Sequence, residues 1–165
     1  MAANLSNLKQ ISSDILSYKI GTLSVSSLLQ NFFSNPSTTA YGDLKTGLIA
    51  ARAAVYPTVR VLVANADGRV LYDSNKNNDT INTFANFTTS TINVTGVAVP
   101  VPVSGLISDN HSGRPELLQA TLTTAGYGSA LRFSDSVNQE QIYWATRLGT
   151  GVDFPVGLFR VSLTV

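Results

Sequence analysis

At Tyr56-Pro57 the spacing of apolar residues changes from steps of three and four to steps of two, and no single type of element can span that change. Before it, Leu5, Leu8, Ile11, Ile15 and Tyr18 share one helical stripe, and Leu28, Leu29, Phe32 and Phe33 close the segment with a bulky apolar end. One long helix is expected over 4–33, weakened at Gly21 and broken by Asn35-Pro36. Leu44, Leu48, Ala51 and Val55 then mark a second helix over 41–55, which stops because a residue before proline is pushed out of helical geometry. After the change, Val59, Val61 and Val63 alternate with Arg60, Leu62 and Ala64. Asp67-Gly68 supplies a hairpin turn, and Arg69 to Asp73 the return strand.

Residues 74–106 are rich in Asn and Thr and end in Val-Pro-Val-Pro-Val, which excludes a central strand. A long loop with one edge strand is expected, covering a binding site or packing on a neighbouring molecule. Pro115 suits a first helical turn and Glu116 a positive helix N-terminus; Leu117, Leu118 and Leu122 predict the buried side, and Gly126 and Gly128 the stop. Three strands follow. Ser129, Leu131 and Phe133 share a face of the first; Ile142, Trp144 and Leu148 belong to the second, after a turn from Ser134 to Glu140; Phe159, Val161, Leu163 and Val165 point one way on the third. The expected fold is α+β, with long N-terminal helices packed on one five-stranded antiparallel sheet. A single domain over 1–165 is expected, with a helical region at 1–57 and the sheet at 58–165; 165 residues suit one core.

Charged residues make up only 13% of the chain, about half the usual share of roughly 25%, so Ser, Thr, Asn and Gln must form the polar surface. Such surfaces are common in secreted, cell-surface and virion proteins. The net charge of +1 and the lack of a basic run argue against a nucleic-acid partner. With no cysteine there are no disulfides, thiolate metal sites or thiol nucleophiles. The apolar runs fall short of the ~20 residues a membrane helix needs, and MAANLSNLKQ has no apolar signal core. The chain is therefore expected to be soluble as it stands or to be a domain cut from between membrane anchors, with Val165 placed where a following membrane helix would begin.

A serine triad would have to use His111, the one histidine, and no G-x-S-x-G elbow is present. Gly149-Thr150-Gly151 lacks the rest of a nucleotide fingerprint, and no H-E-x-x-H or carboxylate cluster suggests a metal. Asp135 and Glu140 read as surface carboxylates of a turn. No enzyme activity, cofactor or metal is expected.

The candidate binding residues come from strand parity. If Leu131, Phe133, Ile142, Trp144, Phe159 and Val161 face the helices, then Arg132, Tyr143, Arg147 and Arg160 face the other side. A planar guanidinium is well shaped to hold a carboxylate or phosphate by two points, so these four side chains are candidates for an anionic ligand; the ordinary alternative is a solvated face. His111 and Arg114 are further candidates for such a pocket, although a capping or loop hydrogen-bonding role is the more ordinary reading of His111.

VRVLVANADGRVLYDS resembles the first hairpin of extracytoplasmic single Cache (PAS-like) sensor domains. DNHSGRPELLQATLTTAGYGSALRFSDSVNQEQIYWATRL resembles their next block: an N-H-x-x-R-P-E helix, a glycine pair, an R-[FY]-S strand and a strand carrying a tyrosine. Residues 59–73 and 109–165 are similar in this way to sensor segments of phosphate-type histidine kinases. The Thr- and Asn-rich 74–106 stretch departs from that pattern. The resemblance implies a PAS/Cache-like fold, with the arginine-bearing face roofed by the loop and short helix, and a broad sensing role; it assigns no ligand residue. Two functions follow as expectations. One is an extracytoplasmic sensor-type domain that binds a small polar or anionic ligand or relays a conformational signal, with membrane contact only through flanking segments and a homodimer through the N-terminal helix. The other is a structural or assembly protein of a virion or cell surface that reuses the fold with other structural proteins.

Overall fold

The computed structural model describes residues 3–35, 37–65, 70–75, 89–94, 97–102, 114–134, 138–149 and 157–165. The Asp67-Gly68 turn, His111, Asp135 and much of 74–106 lie outside the described residues.

The N-terminal region holds two helices where the spacing predicts one: α1 (Ala3–Ser17) and α2 (Val25–Ser34) flank a miniature hairpin of β1 (Lys19–Ile20) and β2 (Leu23–Ser24). Gly21 turns it with φ +65°, a conformation open to glycine at little steric cost. Ser24 restarts the helix, its Oγ accepting from the Ser27 N–H at 3.1 Å. The break lets two apolar stripes aim separately: Leu8, Ile11 and Ile15 from α1, and Val25, Leu28, Leu29, Phe32 and Phe33 from α2, all buried in one core. Because that cap satisfies one of the orphan donors of α2, Ser24→Ala is expected to lower stability by about 1 kcal/mol, read as a shift in the urea midpoint at unchanged m-value. A third helix, α3 (Thr38–Val55), packs on α1 and α2.

The main sheet contains β3 (Arg60–Asn65), β4 (Val70–Asp73), β7 (Tyr127–Ser134), β8 (Gln139–Leu148) and β9 (Gly157–Thr164); β5 (Thr89–Val94) and β6 (Val97–Pro102) lie between them in sequence. Its order is β4-β3-β9-β8-β7, all antiparallel, so the 60–73 hairpin sits directly beside the last strand. The alternation of valines and the closing Phe159–Val161 pair explain this placement: Val61 opposes Val161 and Val63 opposes Phe159, which buries a continuous apolar face under α1–α3. Among the described residues β5 and β6 pair with each other and with no other strand. One edge strand was expected in that stretch and two strands occur.

The fourth helix, α4 (Pro115–Leu122), lies on the opposite face of the sheet, against β7, β8 and β9. Its buried side differs from the expected one. Glu116, Leu117 and Ala120 face the sheet, whereas Leu118 is 43% and Leu122 77% exposed. Positions i, i+1 and i+4 share the contact stripe here, and Gly128 on β7 provides the flat surface beneath it: a Cβ there would stand 2.3 Å from the Glu116 carbonyl oxygen. Leu131 and Phe133 have the parity of the helical side but remain 61% and 52% exposed. α1 packs mainly on β8 and β9.

Candidate functional site

The face of the sheet away from α1–α3 has a small apolar core of its own, formed by Leu62, Ala64, Val70, Leu117, Ala120, Ala145 and Leu158. Beside it lies a layer of buried charge. Strand alternation puts Arg132 (β7), Tyr143 (β8) and Arg160 (β9) on this side, with Ala130 opposite Tyr143 and Ala145 opposite Arg160. The two alanines leave space for the neighbouring long side chains. Both guanidiniums lie over the Tyr143 ring, with Arg132 Cζ 3.9 Å and Arg160 Cζ 4.7 Å from its centroid.

The anion they meet is Glu116. Its Oε2 accepts from Arg132 Nη2 at 2.8 Å and from Arg160 Nη1 at 2.9 Å, while its Oε1 accepts from Arg132 Nε at 3.3 Å. Arg132 thus grips the carboxylate by two points and Arg160 by one. Glu116 is fully buried and Arg160 is 2% exposed, so the cluster is nearly dry. Burial pushes the Glu116 carboxyl up, but the Arg132 hydrogen bond and the Arg160 charge outweigh it and hold the group below the usual carboxylate range. Burial draws the Arg160 guanidinium down, and the Glu116 charge and hydrogen bond oppose it. Two cations on one anion leave this triad with an excess positive charge. Arg160 Nε and Ser162 Oγ, two positions apart on the same face of β9, are buried with no hydrogen-bond partner.

A second pair adjoins it. Arg60 opposes Ser162 across β3 and β9, and its Nε and Nη2 meet the Asp73 carboxylate at 3.0 and 2.6 Å. The Asn75 N–H adds a 3.0 Å bond to Asp73. Burial pushes Asp73 up, and the Arg60 hydrogen bond and charge hold it below its ordinary value.

Of the sequence candidates, Arg132, Tyr143 and Arg160 come together. Arg147 goes elsewhere: its Nη1 donates to the Thr121 and Thr123 carbonyls at 3.2 Å, satisfying the C-terminal end of α4. Arg114 is exposed at the N-cap of α4, without a side-chain cap bond. His111 lies outside the described residues. Sequence reasoning did not include Glu116, read there only for its fit to a helix N-terminus, or Arg60, although Arg60 has the same parity across β3 that placed Arg160. Among the described residues no three His, Asp or Glu side chains group to hold a metal ion, and no helix is long and apolar enough to cross a membrane.

No protein-family model matches this sequence, and no curated protein matches it. Solved structures do match in fold. A domain of a sensory box/GGDEF family protein from Vibrio parahaemolyticus aligns over 98% of this chain and 54% of its own, at 12% identity and a TM-score of 0.58. The extracellular domain of the histidine kinase vpHK1S-Z8 aligns over 98% of this chain and 51% of its own, again at 12% identity and a TM-score of 0.58. The chain spans about half the length of these matched structures. Its fold is the PAS/Cache-like fold of such sensor domains: one five-stranded antiparallel sheet with helices on it.

Proposed function

We propose that this chain is a sensor-type domain working outside the cytoplasm, and that it takes a small anion, a carboxylate or a phosphate, on the sheet face bearing Arg132, Tyr143 and Arg160. The observation that supports this reading is the under-compensated triad. Two guanidiniums share the single carboxylate of Glu116, and a buried Arg160 Nε and Ser162 Oγ beside it lack partners. Buried donors without partners are rare in folded proteins, and an anion of the right size would supply the missing acceptors. Glu116 already presents to Arg132 and Arg160 what such a ligand would present. An incoming carboxylate therefore competes with it, and the exchange loosens α4 from the sheet. That movement is the signal in this reading. The histidine-kinase context of one structural neighbour fits it.

The test is a thermal-shift screen of small carboxylates and phosphates, followed by titration of any stabilising anion against the wild type and Arg132→Ala. Arg132 is partly exposed and Arg160 keeps Glu116 paired, so the variant should fold. A stabilising anion whose affinity drops about tenfold in the variant is expected, a loss of about 1.4 kcal/mol for a charge-assisted contact. If no anion stabilises the protein, or the affinity is unchanged in Arg132→Ala, the pocket reading is wrong.

A structural or assembly role is the second reading. It is favoured by the edge strand β7, whose Leu131 and Phe133 lie open on the helical side. Light scattering of the purified chain distinguishes the two: higher-order assembly without an anion supports the second.

A further inference from the structure

We infer a separate ligand site on the helical side of the sheet, a groove of about 610 Å³ between α1 and the ends of β7 and β8, that takes an anionic aromatic molecule of the aryl carboxylate class. The groove shares no wall with the Glu116 cluster's side chains, because Tyr127, Trp144 and Thr146 have the parity of the helical face and Arg132, Tyr143 and Arg160 the opposite one.

Three features define its chemistry. The first is charge. Lys9 on α1, Lys19 just beyond it and Arg147 on β8 line the groove, and no carboxylate residue does; of the three, Arg147 is already engaged by the Thr121 and Thr123 carbonyls. Among the described residues neither lysine has an acidic partner. Lys9 Nζ instead lies 5.6 Å from the centre of the Trp144 ring, so its charge is held at the aromatic wall. The second is that wall itself. Tyr127 is 49% exposed, yet its ring is stacked on Trp144 at 4.9 Å between centroids and 15° between planes. A rigid, open aromatic face of this kind suits a second ring laid against it. The third is the opposite side, where α1 presents the half-buried Leu16 among serines. Along α1, Lys9 and Ser17 are about 12 Å apart at 1.5 Å per residue, room for one aryl ring with its carboxylate at a lysine. A cation for the carboxylate, a ring for the ring and an apolar side chain opposite select against both plain acetate and a neutral aryl amide.

Trp144 is the one tryptophan of the chain, so its indole N–H gives a single side-chain resonance to follow. Phenylacetate, phenylacetamide and acetate are titrated into nitrogen-15-labelled protein. Phenylacetate should move that resonance saturably, the other two only weakly. The exposed pair Lys9→Gln/Lys19→Gln should reduce phenylacetate affinity about tenfold, while Arg132→Ala should leave it intact. The inference is overturned by no saturable movement up to about 10 mM, well above a millimolar dissociation constant. It is equally overturned by an equal response to phenylacetamide, or by binding that ignores the lysines. A response abolished by Arg132→Ala but kept in the lysine variant would place the anion on the other face and also overturn it. Failure here leaves the Arg132 titration with small anions untouched, since the two sites share no reporter.

Discussion

Glu116→Ala is expected to lower stability by about 3–5 kcal/mol, the usual effect of removing one partner of a buried ion pair. The size follows from what remains. Arg160 is 2% exposed, and among the described residues the carboxylate in direct ion-pair contact with it is Glu116. Truncation leaves that guanidinium charged and dry, with its Nε already unsatisfied. Chemical denaturation measures the loss, and the same samples with added formate or acetate provide a second reading. If the vacated site accepts a small anion, stability should recover as the anion is added and the wild type should respond less. A loss under about 1 kcal/mol would mean that water reaches Arg160. Glu116→Gln separates charge from shape: it should destabilise less than alanine and bind a carboxylate more tightly than the wild type, because the internal competitor has lost its charge.

The same pairs set the acid response. Glu116 and Asp73 both lie below their ordinary values in the folded protein. The unfolded chain therefore binds more protons as pH falls through about 4, and stability drops with it. The contribution of the pairs is fully present above the unfolded values and disappears as pH falls toward the folded ones. Glu116→Gln should flatten this acid limb, measured as the midpoint of urea unfolding between about pH 5 and pH 3. An acid limb as steep as that of the wild type would remove Glu116 from the account.

Gly128→Ala should lower stability by about 1–3 kcal/mol and loosen the Glu116 cluster without touching any of its side chains. The added Cβ would meet the Glu116 carbonyl oxygen at 2.3 Å, Gln119 Cβ at 2.4 Å and the Ala120 nitrogen at 3.1 Å. Two of these are backbone atoms of α4, so no rotamer change relieves the clash and the helix itself must lift. Lifting it lengthens the Arg132 and Arg160 contacts, since both reach Glu116 in the first turn of α4. A double-mutant cycle with Glu116→Ala should therefore be strongly less than additive. Strict additivity would show that the glycine serves packing alone. The glycine pair after this helix reads in the sequence only as a stop signal, and its second member turns out to set the distance between helix and sheet.

Local pattern determined a great deal here. The switch from a period near 3.6 to a period of two located the helical region and the strands, because those periods follow from backbone geometry that each residue shares with its neighbours. The same alternation placed Arg132, Tyr143 and Arg160 on one side before any neighbour was known, and it would have placed Arg60 there too. Tertiary structure decided the rest. That α1 and α2 are separate helices follows from two apolar stripes needing different directions in one core, which a single straight helix cannot offer. That Leu118 and Leu122 face outward while Glu116 faces inward depends on the orientation of α4 over Gly128, which no property of the helix alone specifies. That the arginines meet a carboxylate from their own chain depends on a contact spanning 44 residues between Glu116 and Arg160. Periodicity reports which way a side chain points; what stands opposite it is settled only when loops close and layers stack, by packing that no short window of sequence contains.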